Sequence, residues 1–147
     1  MTPAEEHALP DDLRLILAHK QKTSARVRFL RFGHGLCAFR PLPKLSVVEN
    51  EREGAPAIAY HPNAWLRAAA HRLGLDGGAL RAEAEFHAVV QTPDGPVTVQ
   101  LATLDTVDPP FAQAEALGAR FIAITEARDC SPAELELLRR AYAALLG

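Results

Sequence analysis

The sequence predicts a single α+β domain over residues 10–147: a mostly antiparallel sheet built on a long hairpin, with about four helices packed mainly on one face. Three observations lead there. Residues 81–104 alternate small or apolar positions (Ala82, Ala84, Phe86, Ala88, Val90) with mostly polar ones (Glu83, Glu85, His87, Gln91), which is the period of a half-buried strand. The alternation resumes with Val97, Val99 and Leu101, after Pro93-Asp94-Gly95, a triplet whose proline, aspartate and glycine each suit a tight turn. Apolar stripes behind helix-entry residues recur on either side of this hairpin, and no repeat or low-complexity linker divides the chain.

In chain order, residues 1–9 are polar and expected to form a flexible tail. Pro10-Asp11-Asp12 reads as a helix entry, its acids suited to the positive helix end, with Leu13, Ile16 and Leu17 as one stripe. Arg26 to Phe32 reads as a strand, Gly33-His34-Gly35 as a tight turn, and Leu36 to Phe39 as a return strand. Pro41 and Pro43 end it, because proline cannot donate to a ladder. Leu45 to Val48 suggests a further short strand. Residues 50–55 read as a charged loop, and Ala57 to Tyr60 as a short apolar run.

His61-Pro62-Asn63 opens a second helix that would bury Trp65, Leu66, Ala69 and Leu73, with Gly74 as its cap. After the hairpin, Asp108-Pro109-Pro110 introduces a short helix ended by Gly118, and Arg120 to Thr125 reads as a strand. Ser131-Pro132-Ala133-Glu134 is a capping box for a last helix running to about Leu146.

Composition bounds the rest. The 147 residues are 48% hydrophobic and 23% charged, which suits one globular domain large enough to fold without disulfides or metal. The net charge of −2 is uneven, with residues 1–45 at +4 and the remainder at −6. Two cysteines, Cys37 and Cys130, make no disulfide framework. The opening M-T-P-A-E-E-H has no basic apolar leader and no run approaches a membrane span, so a cytoplasmic protein is expected. Heavy use of alanine and arginine against three lysines resembles high-GC bacterial coding.

Several residues are candidates for chemistry. His34 and Cys37 have the spacing of half a metal site, to be completed by Cys130 and one of His61, His71 or His87; without a second such pair, no metal or other cofactor is expected. Cys130 precedes a helix N-terminus, which favours a thiolate, while Asp129 opposes it. His87 shares a strand face with Glu83 and Glu85, as an acid–base pair would. Arg26, Arg28, Arg31 and Arg40, interleaved with Phe29, Phe32 and Phe39 in the basic 20–44 stretch, resemble a stacking surface for single-stranded nucleic acid. No phosphate-binding glycine loop, nucleophile elbow or zinc-protease motif is present.

The last helix carries a wide apolar arc, Leu135, Leu138, Tyr142 and Leu145 beside Leu137, Ala141 and Ala144. The leading expectation is therefore a small protein that acts by binding, as a homodimer or with a protein partner through that arc. The alternative is a small enzyme or metal-binding protein using His34, Cys37, Cys130 and a hairpin histidine. Nucleic-acid binding is third.

Overall fold

The computed structural model describes residues 9–50, 61 and 65–146. Among these residues the strands are β1 (Leu13–Lys20), β2 (Val27–Arg31), β3 (Val47–Val48), β4 (Leu80–Ala82), β5 (Ala88–Thr92), β6 (Gly95–Leu104) and β7 (Arg120–Ile122). The helices are α1 (Leu66–Arg72), α2 (Phe111–Ala116) and α3 (Pro132–Leu146), with a 3₁₀ turn at Ile124–Glu126. The chain is thus mixed α+β, as expected. The strands form one seven-stranded sheet in the order β3-β5-β6-β1-β2-β7, with β4 also paired to β6. All pairings are antiparallel except that of β1 with β6. No helix among the described residues is long and apolar enough to cross a membrane.

The expected first helix is instead the central strand of this sheet. Leu13 to His19 are all buried, flanked by β6 on one side and β2 on the other. Leu13, Ile16 and Leu17 have helical spacing only because every position in the run is buried. A strand covered on both faces reads as a continuous apolar stretch, and its period disappears. Ile16 and Ala18 face one core, with Leu137, Leu138 and Ala141 of α3. Leu13, Leu15 and Leu17 face the other, with Trp65, Ala69 and Ala70 of the α1 region and Ala114 of α2. Helices therefore cover both faces of the sheet, not mainly one. A fully buried leucine contributes about 2 kcal/mol by transfer from water. Both sides of β1 thus drive the pairing, against the weak strand preference of its Leu and Ala.

The hairpin is present, but its first arm is two strands. Thr92 pairs with Gly95 across Pro93-Asp94, and Gly95 has φ +115°, a conformation that excludes a β-branched residue. Pairing with β6 then runs back only to Ala88. Residues 84–85 form a turn, and β4 resumes along the same edge of β6 at Ala82–Ala102. Alanine and glutamate hold a strand poorly, and Phe86 enters the core beside α3 while Ala82 packs toward α1. The alternation from Ala82 to Val90 therefore spans two faces.

Other expectations vary in outcome. The expected strand at 36–39 is reduced to an isolated bridge between Leu15 and Ala38. The turn at Gly33-His34-Gly35 is present, closed by the Phe32–Gly35 bridge, and Val47–Val48 pairs with β5. The expected strand at 120–125 stops at Ile122. The α1 segment buries Trp65, Ala69 and Leu73 as expected, with the Trp65 indole N–H donating to Gln100 Oε1 at 2.7 Å. The expected tail up to residue 8, the loop and apolar run over 51–60, and the entry at 62–64 lie outside the described residues.

Candidate functional site

The tight turn after β2 places His34 at its tip. Phe32 N–H donates to the Gly35 carbonyl at 2.8 Å and Gly35 N–H to the Phe32 carbonyl at 3.1 Å. The imidazole stacks parallel on the Phe32 ring, with centroids 5.3 Å apart. Its Nε2 lies 2.6 Å from the Cys37 carbonyl oxygen. A carbonyl only accepts, so Nε2 carries the hydrogen and Nδ1 holds the lone pair of the neutral ring. No hydrogen bond to Nδ1 exists among the described residues.

His34 lines a cleft of about 330 Å³ between the proline-rich segment 41–46 and the start of α3. Leu42, Pro43, Leu45 and Pro132 give it apolar walls, and Lys44 and Ser131 add polar groups. Leu45 is 86% exposed with φ +66°, a left-handed conformation that a leucine rarely adopts.

Glu134 fastens α3 to this turn. Its Oε1 accepts from Ser131 N–H at 3.1 Å, while Ser131 Oγ accepts from Glu134 N–H at 3.2 Å. This is the capping box read from the sequence. Its Oε2 accepts from Leu36 N–H at 2.6 Å, which joins the helix start to the residue that follows the turn. Nearby in sequence to both sides of this junction, Arg31 at the end of β2 and Asp129 before α3 are joined by two parallel bonds of 2.7 and 2.8 Å. Those hydrogen bonds hold the Asp129 carboxyl below its usual range and raise the Arg31 guanidinium.

The structure brings His34, Cys37 and Cys130 into one region, but not as reactive thiols. Both cysteines are free and buried in the core beside α3. Burial, reinforced by the Glu134 carboxylate, pushes the Cys37 thiol up to about 12. The same two causes raise Cys130. A nucleophilic cysteine needs the opposite shift. His34 meets Cys37 through its carbonyl, not its sulfur. Among the described residues no group of His, Cys, Asp and Glu could hold a metal ion. His87 and Glu85 are exposed and parted from Glu83 by the turn at 84–85, so the expected trio is not assembled; His61 and His71 are also exposed.

The arginine stretch is committed elsewhere. Arg31 pairs with Asp129, Arg40 with Asp11 at 2.7 Å, and Arg28 donates to Gln21 at 3.3 Å; Arg26 is exposed. Phe29 and Phe32 are core, and Phe39 lies under the Arg72 guanidinium at 4.4 Å. This corrects the nucleic-acid expectation: the aromatic faces a base would stack on are occupied by the protein itself. A second cleft, of about 520 Å³, has Lys20, Lys22, Arg81, Glu83 and Asp105 on its walls. Its charges largely answer one another: Asp105 is shared by Lys22 at 3.8 Å and Arg81 at 3.4 Å, and Lys20 donates to the Leu145 carbonyl.

The helical interface is corrected as well. Leu138 and Leu145 are buried, Tyr142 is half-buried against the same core, and only Leu135 of the four expected interface residues is exposed. The wide arc on α3 is explained by one deep packing face. Two long-range contacts beside the cleft escaped the sequence reading, those of Glu134 with Leu36 and of Arg14 with Pro41. The charge of Arg14 inside an otherwise apolar run was the available signal.

No protein-family model matches the chain, and no curated protein does. Among solved structures the chain is similar to one titled as the crystal structure of a C. elegans Ap4A hydrolase, at 14% identity and a TM-score of 0.49, over 92% of this chain and 96% of that one. Likeness at this level carries neither activity nor substrate across. The helix face expected to meet a partner is core. The expectation of binding through that face in place of catalysis is therefore withdrawn.

Proposed function

We propose that the chain is a small enzyme acting on a small molecule in the cleft beside His34, with the imidazole as its general acid–base. One observation carries this reading: the Cys37 carbonyl holds Nε2–H at 2.6 Å, fixing the tautomer and leaving Nδ1 as the ring's proton acceptor. A base oriented by a third group is the usual arrangement for proton transfer. The buried, protonated thiols are unsuited to attack, so water is the nucleophile. Water gives a proton to Nδ1 as its oxygen bonds to the electrophilic centre of the substrate. The imidazolium then returns that proton to the leaving group. Lys44 supplies positive charge at the cleft wall, and Leu42, Pro43 and Leu45 receive an apolar portion of the substrate. The left-handed Leu45 fits a wall shaped for a ligand, since such strain concentrates at functional sites.

The test is hydrolytic profiling with chromogenic carboxylic esters, phosphomonoesters and phosphodiesters, comparing the wild type with His34→Gln. The expected result is turnover of at least one class, reduced about 100-fold or more in the variant. Turnover that survives His34→Gln, or a wild type inert toward every class, overturns the reading.

A further inference from the structure

We infer that Arg14 is a positioning residue for the His34 cleft, holding the proline-rich wall in place from inside the sheet. The inference rests on reading that cleft as the active site.

Arg14 lies in the fully buried run of β1 and is itself only 6% exposed. Its guanidinium donates to the carbonyls of Asp11 at 2.7 Å, Leu13 at 3.1 Å and Pro41 at 3.2 Å. The first two are local, whereas the third reaches a segment 27 residues away. Pro41 begins the cleft wall. That wall is poorly held by its own backbone. Pro41 and Pro43 have no N–H to give, and among the described residues no backbone–backbone hydrogen bond involves residues 39–46. Ser46 Oγ donates to the Pro43 carbonyl, which closes the segment on itself without tying it to the sheet. Leu42 packs on the core, and Arg40 reaches Asp11, the residue that Arg14 also holds. Arg14 is thus the polar link from the rigid central strand to Pro41.

Stability alone is a poor reason for this arrangement. Burial works against the charge, and the neighbouring positive Arg40 adds to the penalty. Apolar replacement of a buried ion is often neutral or stabilising. A penalty of this kind is retained where a unique geometry matters, and the geometry in question is that of one wall facing His34.

The experiment uses Arg14→Met in the full chain, which keeps the apolar stem and removes the donors. Backbone order parameters from ¹⁵N relaxation are read for Leu42, Lys44, Leu45 and Ser46, beside KM and kcat for the substrate class that His34 turns over. The expected result is a drop in these amides from about 0.85 toward 0.6 or less, with β1 and α3 unchanged. KM should rise about tenfold while kcat changes little, because the wall locates the substrate and does not touch the transferred proton. If Arg14→Met does not fold, Arg14→Lys is measured in the same way, since one ammonium cannot span all the carbonyls. Unchanged order parameters overturn the inference, whatever the activity. Loosened amides with unchanged KM also overturn it, because the wall is then irrelevant to the site. Absence of His34-dependent turnover in the wild type fails the reading of the cleft itself, and is distinguished by the order parameters, which report on the link without any substrate.

Discussion

The Glu134 carboxylate occupies the space where Gly35 has no side chain: a Cβ at Gly35 would stand 2.5 Å from Glu134 Oε2. That absence lets the carboxylate reach Leu36 N–H and couple the start of α3 to the turn carrying His34. Gly35 also has φ +138°, so backbone and space both demand glycine. Gly35→Ala is expected to cost about 2–3 kcal/mol, from the strained backbone together with the displaced charged hydrogen bond. Gly33→Ala, two residues earlier, meets nothing within 4 Å and serves as the control, with an effect within about 0.5 kcal/mol. Urea denaturation of both variants checks the contrast; equal losses would show that the Glu134 contact is not what matters.

The cysteines should respond to pH through the folded state. Cys37 titrates at about 12 when folded, above the ordinary thiol value of about 8.5. A raised folded pKa contributes stability that is complete below the unfolded value and lost as pH climbs toward the folded one. Stability should therefore fall between about pH 9 and 12, and Cys37→Ala should flatten that slope. Iodoacetamide at pH 8 should leave Cys37 intact in the native protein and modify it on unfolding. Rapid native alkylation of Cys37 would mean that the thiol is not buried as described.

Asp129 should titrate with its partner. The bonds from Arg31 lower its pKa, so the pair contributes above the ordinary aspartate value and is lost as pH falls through the depressed one. Arg31→Gln is expected to return the Asp129 carboxyl toward its usual range, read by carbon NMR through an acid titration. Because Asp129 is on the surface, the global stability should change little. An unmoved Asp129 would dissociate the pair.

Leu138→Asp should unfold the protein, and should not merely release a soluble monomer. The side chain is fully enclosed in the core beside α3, and a buried carboxylate without a partner there costs several kcal/mol. Leu135→Asp, at a position 39% exposed, should remain folded. Circular dichroism on the two variants decides the matter; a folded Leu138→Asp would restore the helix face as an interaction surface.

Signals set within a few residues were legible in the chain. The Pro93-Asp94-Gly95 turn, the Ser131–Glu134 capping box and the Gly33–Gly35 turn depend on local backbone geometry and adjacent hydrogen bonds, and each appears where its residues stand. The histidine at the turn tip and the nearby cysteine were legible as candidates for the same reason. What they do was not. Whether Leu13–Lys20 is helix or strand was decided by β2 and β6, which cover its edges, and by two cores that bury both faces. The split of the first hairpin arm was decided by Phe86 turning into one core while Ala82 packs in the other. Cys37 and Cys130 became inert through burial beside Glu134, and Arg14 gained its role through a carbonyl 27 residues away. Local chemistry is written in consecutive residues, whereas burial and long-range pairing exist only once distant segments have met, and in this protein they determine which of the candidate groups can react.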